Sequence, residues 1–217
     1  MITSYRTIAR TGVGEVEVSR SRFRAEARRV ADEDEARTVI AALRKAYPDA
    51  RHHCTAMVIG SDGALERSSD DGEPPGTAGT PILDVVRGSG LSDVVMVVTR
   101  WFGGTLLGTG GLVRAYGDAA AAAVADAGVV ERSLLEEYAV AVDHADAGRI
   151  ENDLRARGVS VLDVEYAEHA LMHLAVPPDQ REDLASAIAA ATAGKGALTL
   201  AGRRWVDQPV AGSRELP

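Results

Sequence analysis

Arg100-Trp101-Phe102-Gly103-Gly104-Thr105-Leu106-Leu107-Gly108-Thr109-Gly110-Gly111-Leu112-Val113-Arg114-Ala115-Tyr116 is the stretch whose reading decides the fold. Five glycines fall within nine residues of it, between the apolar run 94–98 and an alanine-rich tract. Glycine permits positive φ and close approach of backbone to other groups, at an entropic cost. A chain repeats that cost only where backbone geometry matters. The order read here is strand, glycine loop, helix. A helix start carries N–H groups without intrahelical partners and attracts anions. Gly103, Gly104, Gly108, Gly110 and Gly111 therefore have two readings: tight turning with close helix–strand packing, or an anion site at the head of the helix.

The loop departs from both common nucleotide-binding fingerprints. Gly103 and Gly108 have the outer spacing of a phosphate-binding P-loop, but Thr109 and Gly110 follow where Lys and Ser/Thr are required. Gly108 and Gly110 open a dinucleotide fingerprint that Val113 breaks. An ATPase or nicotinamide enzyme is not supported, and no cofactor is implied.

Upstream lies Ser68-Ser69-Asp70-Asp71-Gly72-Glu73-Pro74-Pro75-Gly76-Thr77-Ala78-Gly79-Thr80-Pro81, punctuated by Gly and Pro as an ordered loop. Arg51-His52-His53-Cys54 precedes it. The order and spacing of these blocks closely resemble the IMPACT/YigZ family. Residues 52–54, 70–74, 77–81 and 102–116 match its hallmark elements, and Ser21-Arg22-Phe23 matches its opening strand. Trp101 stands where the family often has Tyr. The resemblance covers the chain in full and implies an α+β protein of two domains. The first, 1–132, is expected to have the βαβ fold shared by a small-subunit ribosomal protein and domain IV of elongation factor G. The second, 133–205, is expected to be ferredoxin-like, and 206–217 a frayed tail. The resemblance also implies a non-enzymatic cytoplasmic protein that acts in regulation of translation by binding RNA, the ribosome or a protein partner of the translation machinery. Eukaryotic members compete for an activator of an initiation-factor kinase. Fold alone does not fix function.

Composition sets bounds on this reading. The 217 residues, 46% hydrophobic and 26% charged, have ordinary globular proportions. No run approaches the roughly 18 apolar residues of a membrane span. The start, Met1-Ile2-Thr3-Ser4-Tyr5-Arg6, lacks an apolar signal core, and the single Cys54 cannot form an internal disulfide; both predict a cytoplasmic protein. The net charge of −8 is uneven: residues 1–132 carry 16 Lys+Arg against 18 Asp+Glu, and the remainder 8 against 14. A general basic footprint for nucleic acid is absent and nothing signals DNA specifically. Nearly all the cations are arginine, which suits bidentate phosphate contacts.

Patterns along the chain place the motifs. Residues 14–27 alternate as one or two strands. Asp32 with Glu35 forms a capping box for a helix that Pro48 stops. Residues 52–59 and 94–99 read as strands, and 112–127 as a helix ended by Gly128. Beyond Arg132, strands at 138–142, 159–165, 170–176 and 197–201 alternate with helices at 145–157 and 178–193. This βαββαβ order over about 65 residues is the ferredoxin-like pattern.

Candidate chemistry lies in the first domain. On a strand, His52 and Cys54 share one face and His53 takes the other. His52, Cys54 and an acid from 70–73 are the candidate zinc ligands, and Cys54 beside His52 a candidate nucleophile. The simpler reading is a half-buried strand. Asp70, Asp71 and Glu73 could hold a divalent cation or form a turn whose carboxylates bond local N–H groups, with Gly72 at positive φ. Arg100 and Arg114, bracketing the glycine loop, either bind phosphate or pair with Asp71 or Glu73; Arg114 is read into the first turn of the helix. Trp101, Phe102 and Tyr116 are core aromatics or stacking platforms. His169 and His173 fall on a strand with Ala170, Met172, Leu174 and Val176 inward, which leaves the histidines to solvent. The surface assembled from these readings comprises His52, Asp70, Asp71, Glu73, Thr77, Arg100, the five glycines and Arg114, with no metal. The alternative is an enzyme acting on a phosphorylated small molecule at the glycine loop.

Overall fold

The computed structural model describes residues 2–209. The chain divides into two compact units, one built from residues up to Arg132 and one from Ser133–Asp207. In the first, β1 (Ser4–Ile8) precedes a hairpin of β2 (Gly12–Val18) and β3 (Ser21–Arg29). Its two-residue turn, Ser19 and Arg20, has φ of 47° and 66°; paired positive φ matches the twist of the flanking strands. β3 pairs with β6 (Val94–Trp101), β6 with β4 (His52–Ile59) and β4 with β5 (Leu65–Ser69), all antiparallel, in the order β2-β3-β6-β4-β5.

Alternation along the central strands feeds two cores. Cys54, Ala56, Val58, Val94, Met96 and Val98 face α2 (Gly79–Gly88) and α3 (Gly108–Ala127). Met57, Ile59, Val95 and Val97 face α1 (Glu33–Ala46). A sheet covered on both faces explains why 94–98 is apolar without interruption. The expected cap of α1 is present: the Asp32 carboxylate accepts from Glu35 N at 2.8 Å, and Glu35 accepts from Ala31 N at 2.7 Å.

The alanine tract has a packing cause. Ala119, Ala123 and Ala127 are fully buried against β2. A Cβ on Gly12 would lie 2.1 Å from Ala123 O, and one on Gly14 2.5 Å from Ala123 N. Helix backbone rests on strand backbone, which only small residues on both sides permit.

The second unit contains β7 (Val129–Val142, from Ser133 onward), α4 (His144–Ala156), β8 (Ser160–Tyr166), β9 (Ala170–Val176), a 3₁₀ turn (Pro178–Gln180), α5 (Arg181–Ala191) and β10 (Thr199–Pro209). Strand order β10-β7-β9-β8 gives the ferredoxin-like arrangement. Ile150 and Leu154 of α4 and Leu184 and Ile188 of α5 pack on Tyr138, Val140, Met172 and Leu174. The whole is an α+β architecture.

Several boundaries differ from the sequence reading. The run 68–81 is not loop throughout, because it ends β5 and begins α2. Pro81 sits in the first turn of α2, where its missing N–H has no intrahelical partner to lose. α3 starts at Gly108, so Gly108, Gly110 and Gly111 belong to the helix. β7 begins at Val129 and not near residue 138. β10 runs to Pro209, so the stretch read as tail begins as strand; 210–217 lie outside the described residues.

Replacing Gly14 with Ala drives a methyl group into the α3 backbone, and overpacking of this kind costs about 3 kcal/mol. Urea denaturation of Gly14→Ala is expected to show that loss, whereas Gly110→Ala, with no atom near its added Cβ, stays close to the parent.

Candidate functional site

The region around the two central motifs has an inward half and an outward half. The inward half is a buried polar network. Arg100, at the end of β6, is 5% exposed. Its Nη1 donates to Glu73 Oε1 at 2.5 Å, and its Nη2 donates to Ser21 Oγ at 3.3 Å. Tyr116 Oη, from α3, donates to the same Glu73 oxygen at 2.7 Å. His52 Nδ1 donates to Asp71 O at 2.9 Å, and its Nε2 lies 3.9 Å from Glu73 Oε1. The Cys54 sulfur is 3.0 Å from Asp70 O and 3.3 Å from Tyr116 Oη.

Those neighbours decide the chemistry of Cys54. Burial pushes its thiol up to about 12, outweighing the hydrogen bond to Tyr116, with the charges of Glu73, Asp71 and Asp70 adding to the rise. Burial, with Cys54 beside it, also raises the Tyr116 phenol. A nucleophilic cysteine needs the opposite shift. Burial lowers His53, aided by the Arg44 charge and opposed by Asp71. Among the described residues, no group of three or more His, Cys, Asp and Glu side chains is placed to hold a metal ion.

The acidic loop is a turn held by its own carboxylates. Asp70 Oδ1 accepts from Ala78 N at 3.0 Å and Gly79 N at 2.8 Å, and Oδ2 accepts from Gly76 N at 2.8 Å. Asp70 therefore caps α2 from outside it, since Ala78 has no side chain that could. Asp71, at φ 44°, accepts from His53 N and from Arg44 Nη2 at 2.5 Å. Thr77 is buried, its hydroxyl donating to Pro74 O at 2.7 Å. His52, Asp70, Asp71, Glu73, Thr77 and Arg100 are thus brought together, but they point at one another. Arg100 is not the surface cation of the phosphate reading; it takes the ion-pair alternative.

The outward half is the head of α3. Gly103 packs against the Arg20 and Ser21 backbone, where a Cβ would meet Arg20 C at 2.0 Å. Gly108 has φ 69° at the helix start, and Gly110 has open space beside it. No side chain caps α3 and no acid lies in its first turn. Arg114 falls in the second turn and not the first, exposed. Tyr116 is core, whereas Phe102 is 38% and Leu106 88% exposed.

Sequence reasoning missed two arginines beside this head, Arg20 and Arg51. The hairpin turn brings Arg20 Nη2 to 3.3 Å from Thr105 Oγ1. The Arg51 guanidinium lies 5.4 Å from the Phe102 ring, whereas that of Arg22 stacks 3.9 Å over Trp101 on the opposite face of the sheet, where Trp101 meets Tyr47 and Asp49. Among the described residues, Arg20, Arg22, Arg51 and Arg114 have no carboxylate partner, unlike Arg24, Arg44, Arg87 and Arg100. Only Arg114 stands in the glycine motif; the others arrive through hairpin and strand registers.

This geometry defines a two-domain α+β protein with a solvent-facing, arginine-rimmed helix start. Residues 19–124 match the Impact N-terminal domain, and residues 140–195 match a domain of unknown function, DUF1949. The IMPACT family member YvyE of Bacillus subtilis (strain 168) is 40% identical over 78% of both chains. The IMPACT family member YigZ of Escherichia coli (strain K12) is 36% identical over 74% of this chain and 80% of its own. The chain belongs to the IMPACT family. A crystal structure described as that of a hypothetical protein superposes with a TM-score of 0.61 at 32% identity, covering 92% of this chain and 98% of that one. No helix among the described residues is long and apolar enough to cross a membrane.

The Asp70 cap predicts an acid dependence. Burial raises its carboxyl, but the N–H groups of Gly76, Gly79 and Ala78 outweigh that and hold it below the usual range. A lowered folded pKa contributes stability above the unfolded value and loses it as pH falls through the folded one. Asp70→Asn, which removes one acceptor, is expected to cost about 1–2 kcal/mol at neutral pH. The deficit relative to the parent shrinks below about pH 4, read from urea midpoints across pH.

Proposed function

We propose that this protein acts in the cytoplasm in translation or its regulation, by binding RNA, free or within the ribosome, at the head of α3. The carrying observation is the set of arginines near an uncapped helix start that, among the described residues, have no carboxylate partner: Arg20, Arg51 and Arg114. With a net charge of −8 the chain repels a polyanion at long range, so attraction has to be local. Unpaired guanidinium groups next to free helix N–H groups supply it. Phe102 offers a partly exposed ring for base stacking. Gly108, Gly110 and Gly111 keep Cβ atoms out of the approach to the helix amides.

The enzyme alternative draws less support. Cys54 is buried with a raised pKa, and His52 and Asp71 are engaged in holding the acidic turn. What remains for a phosphorylated small molecule is the same helix start and arginines, without a group positioned to do chemistry on it.

The test is fluorescence anisotropy of a labelled structured RNA titrated with the protein over a range of salt. Contacts from these arginines give a slope of log K against log salt of about −3. Arg51→Ala and Arg114→Ala are each expected to weaken binding and to reduce the slope by about 1. Flat anisotropy, or variants that bind as the parent does, contradicts the reading and turns attention to a protein partner.

A further inference from the structure

We propose that the second unit carries a binding site for a small zwitterion of the α-amino-acid class. A cavity of about 620 Å³ lies between α4 and the segment that follows α5, a volume ordinary for small-molecule sites. Its charged lining is Asp143, Asp146, Arg149, His169 and Lys195.

These charges sort into one ion pair and two solvent-exposed groups outside it. Arg149 Nη2 donates to Asp146 Oδ1 at 2.9 Å and to Ala191 O at 3.1 Å, so both side chains are already occupied. Lys195 has no ion-pair or side-chain hydrogen-bond partner among the described residues. Asp143 stands at the N-cap of α4 yet makes no capping bond. The contrast with Asp32 is direct, since Asp32 at the N-cap of α1 accepts from Glu35 N. Among the described residues, the ionisable group next to the Asp143 carboxylate is the His169 ring, at 3.9 Å. The cavity mouth thus presents one ammonium and one carboxylate that solvent reaches and that no ion pair of opposite permanent charge occupies among the described residues.

That balance selects the ligand. A nucleotide or sugar phosphate meets two aspartates, and a polyamine meets Arg149 and Lys195. A zwitterion finds an opposite charge at each of its ends. Val142, Ile150 and Ala191 add apolar wall for an aliphatic side chain. The C-terminal cap of α5 fixes the segment bearing Lys195: Ala193 takes the left-handed position at φ 51°, Gly194 N donates to Ala189 O at 2.8 Å, and Lys195 N donates to Thr192 O at 3.1 Å.

Isothermal titration of the full-length protein tests this with three probes: L-leucine, N-acetyl-L-leucine and L-leucinamide. The two derivatives lack one charge each. The parent is expected to bind L-leucine at least about tenfold more tightly than either derivative, a difference near 1.4 kcal/mol. Lys195→Met is expected to erase the preference over the amide, and Asp143→Asn the preference over the acetyl form. Both side chains are exposed, and circular dichroism checks that the variants fold. Equal affinities for the three probes, no heat from leucine, valine or methionine at millimolar concentration, preference for inorganic phosphate, or unchanged selectivity in both variants overturns the proposal. RNA binding at the first unit is a separate readout that none of these results changes.

Discussion

One carboxylate oxygen, Glu73 Oε1, accepts from Arg100 of β6 and from Tyr116 of α3. Sheet, helix and the 70–78 loop meet at that atom, and all three side chains are buried. A buried charge is costly unless it is paired and hydrogen-bonded, and removing one partner leaves the other uncompensated. This constraint turns the acidic motif inward. Once Glu73 is drawn under the loop, Asp70 meets the N–H groups at the start of α2, and Asp71 meets His53 N and Arg44. His52 and Cys54 are consumed by the same arrangement, as donors to loop carbonyls.

The outward surface follows from what the inward network leaves over. Arg100 is used; Arg20, Arg51 and Arg114 have no carboxylate partner among the described residues. Exposed arginines that do pair, such as Arg37 with Glu33, gain little from it, so an unpaired arginine sacrifices little fold stability and stays available to a ligand. The glycine motif serves two ends on one segment. Gly103 lets the chain pass against the hairpin turn, while Gly108 and Gly110 leave the head of α3 open. The two readings of the loop, packing and anion binding, therefore fall on different glycines.

Much of the fold was legible because it rests on periodicity. Val94 to Val98 and the alternation at 170–176 announce strands, and Asp32 with Glu35 announces a helix. What was not legible rests on partners distant in sequence. α2 hid because its cap is Asp70, eight residues before the Ala78 N–H it bonds. A reader looking for a local cap finds alanine. The start of α3 hid because five glycines mimic a loop. The continuation of β10 beyond residue 201 hid because Gly202, Arg203 and Arg204 interrupt its apolar pattern, although the arginines pair with Glu136 and Glu137 of β7. In the candidate site, the residues of the network were all named from the motifs, but sequence left Arg100 open between phosphate and carboxylate. Burial decides it. Arg20 and Arg51 carry no local signal; the hairpin turn and the chain leading into β4 bring them to the glycine loop.

The Glu73–Arg100 pair holds this centre together, and a double-mutant cycle measures it directly. Glu73→Gln, Arg100→Met and the combined variant are compared with the parent by urea denaturation. Strong coupling through a buried shared atom predicts an interaction energy of about 2 kcal/mol or more, with the double variant more stable than the sum of the single losses implies. Additivity within about 0.5 kcal/mol would mean that the pair does not organise this centre.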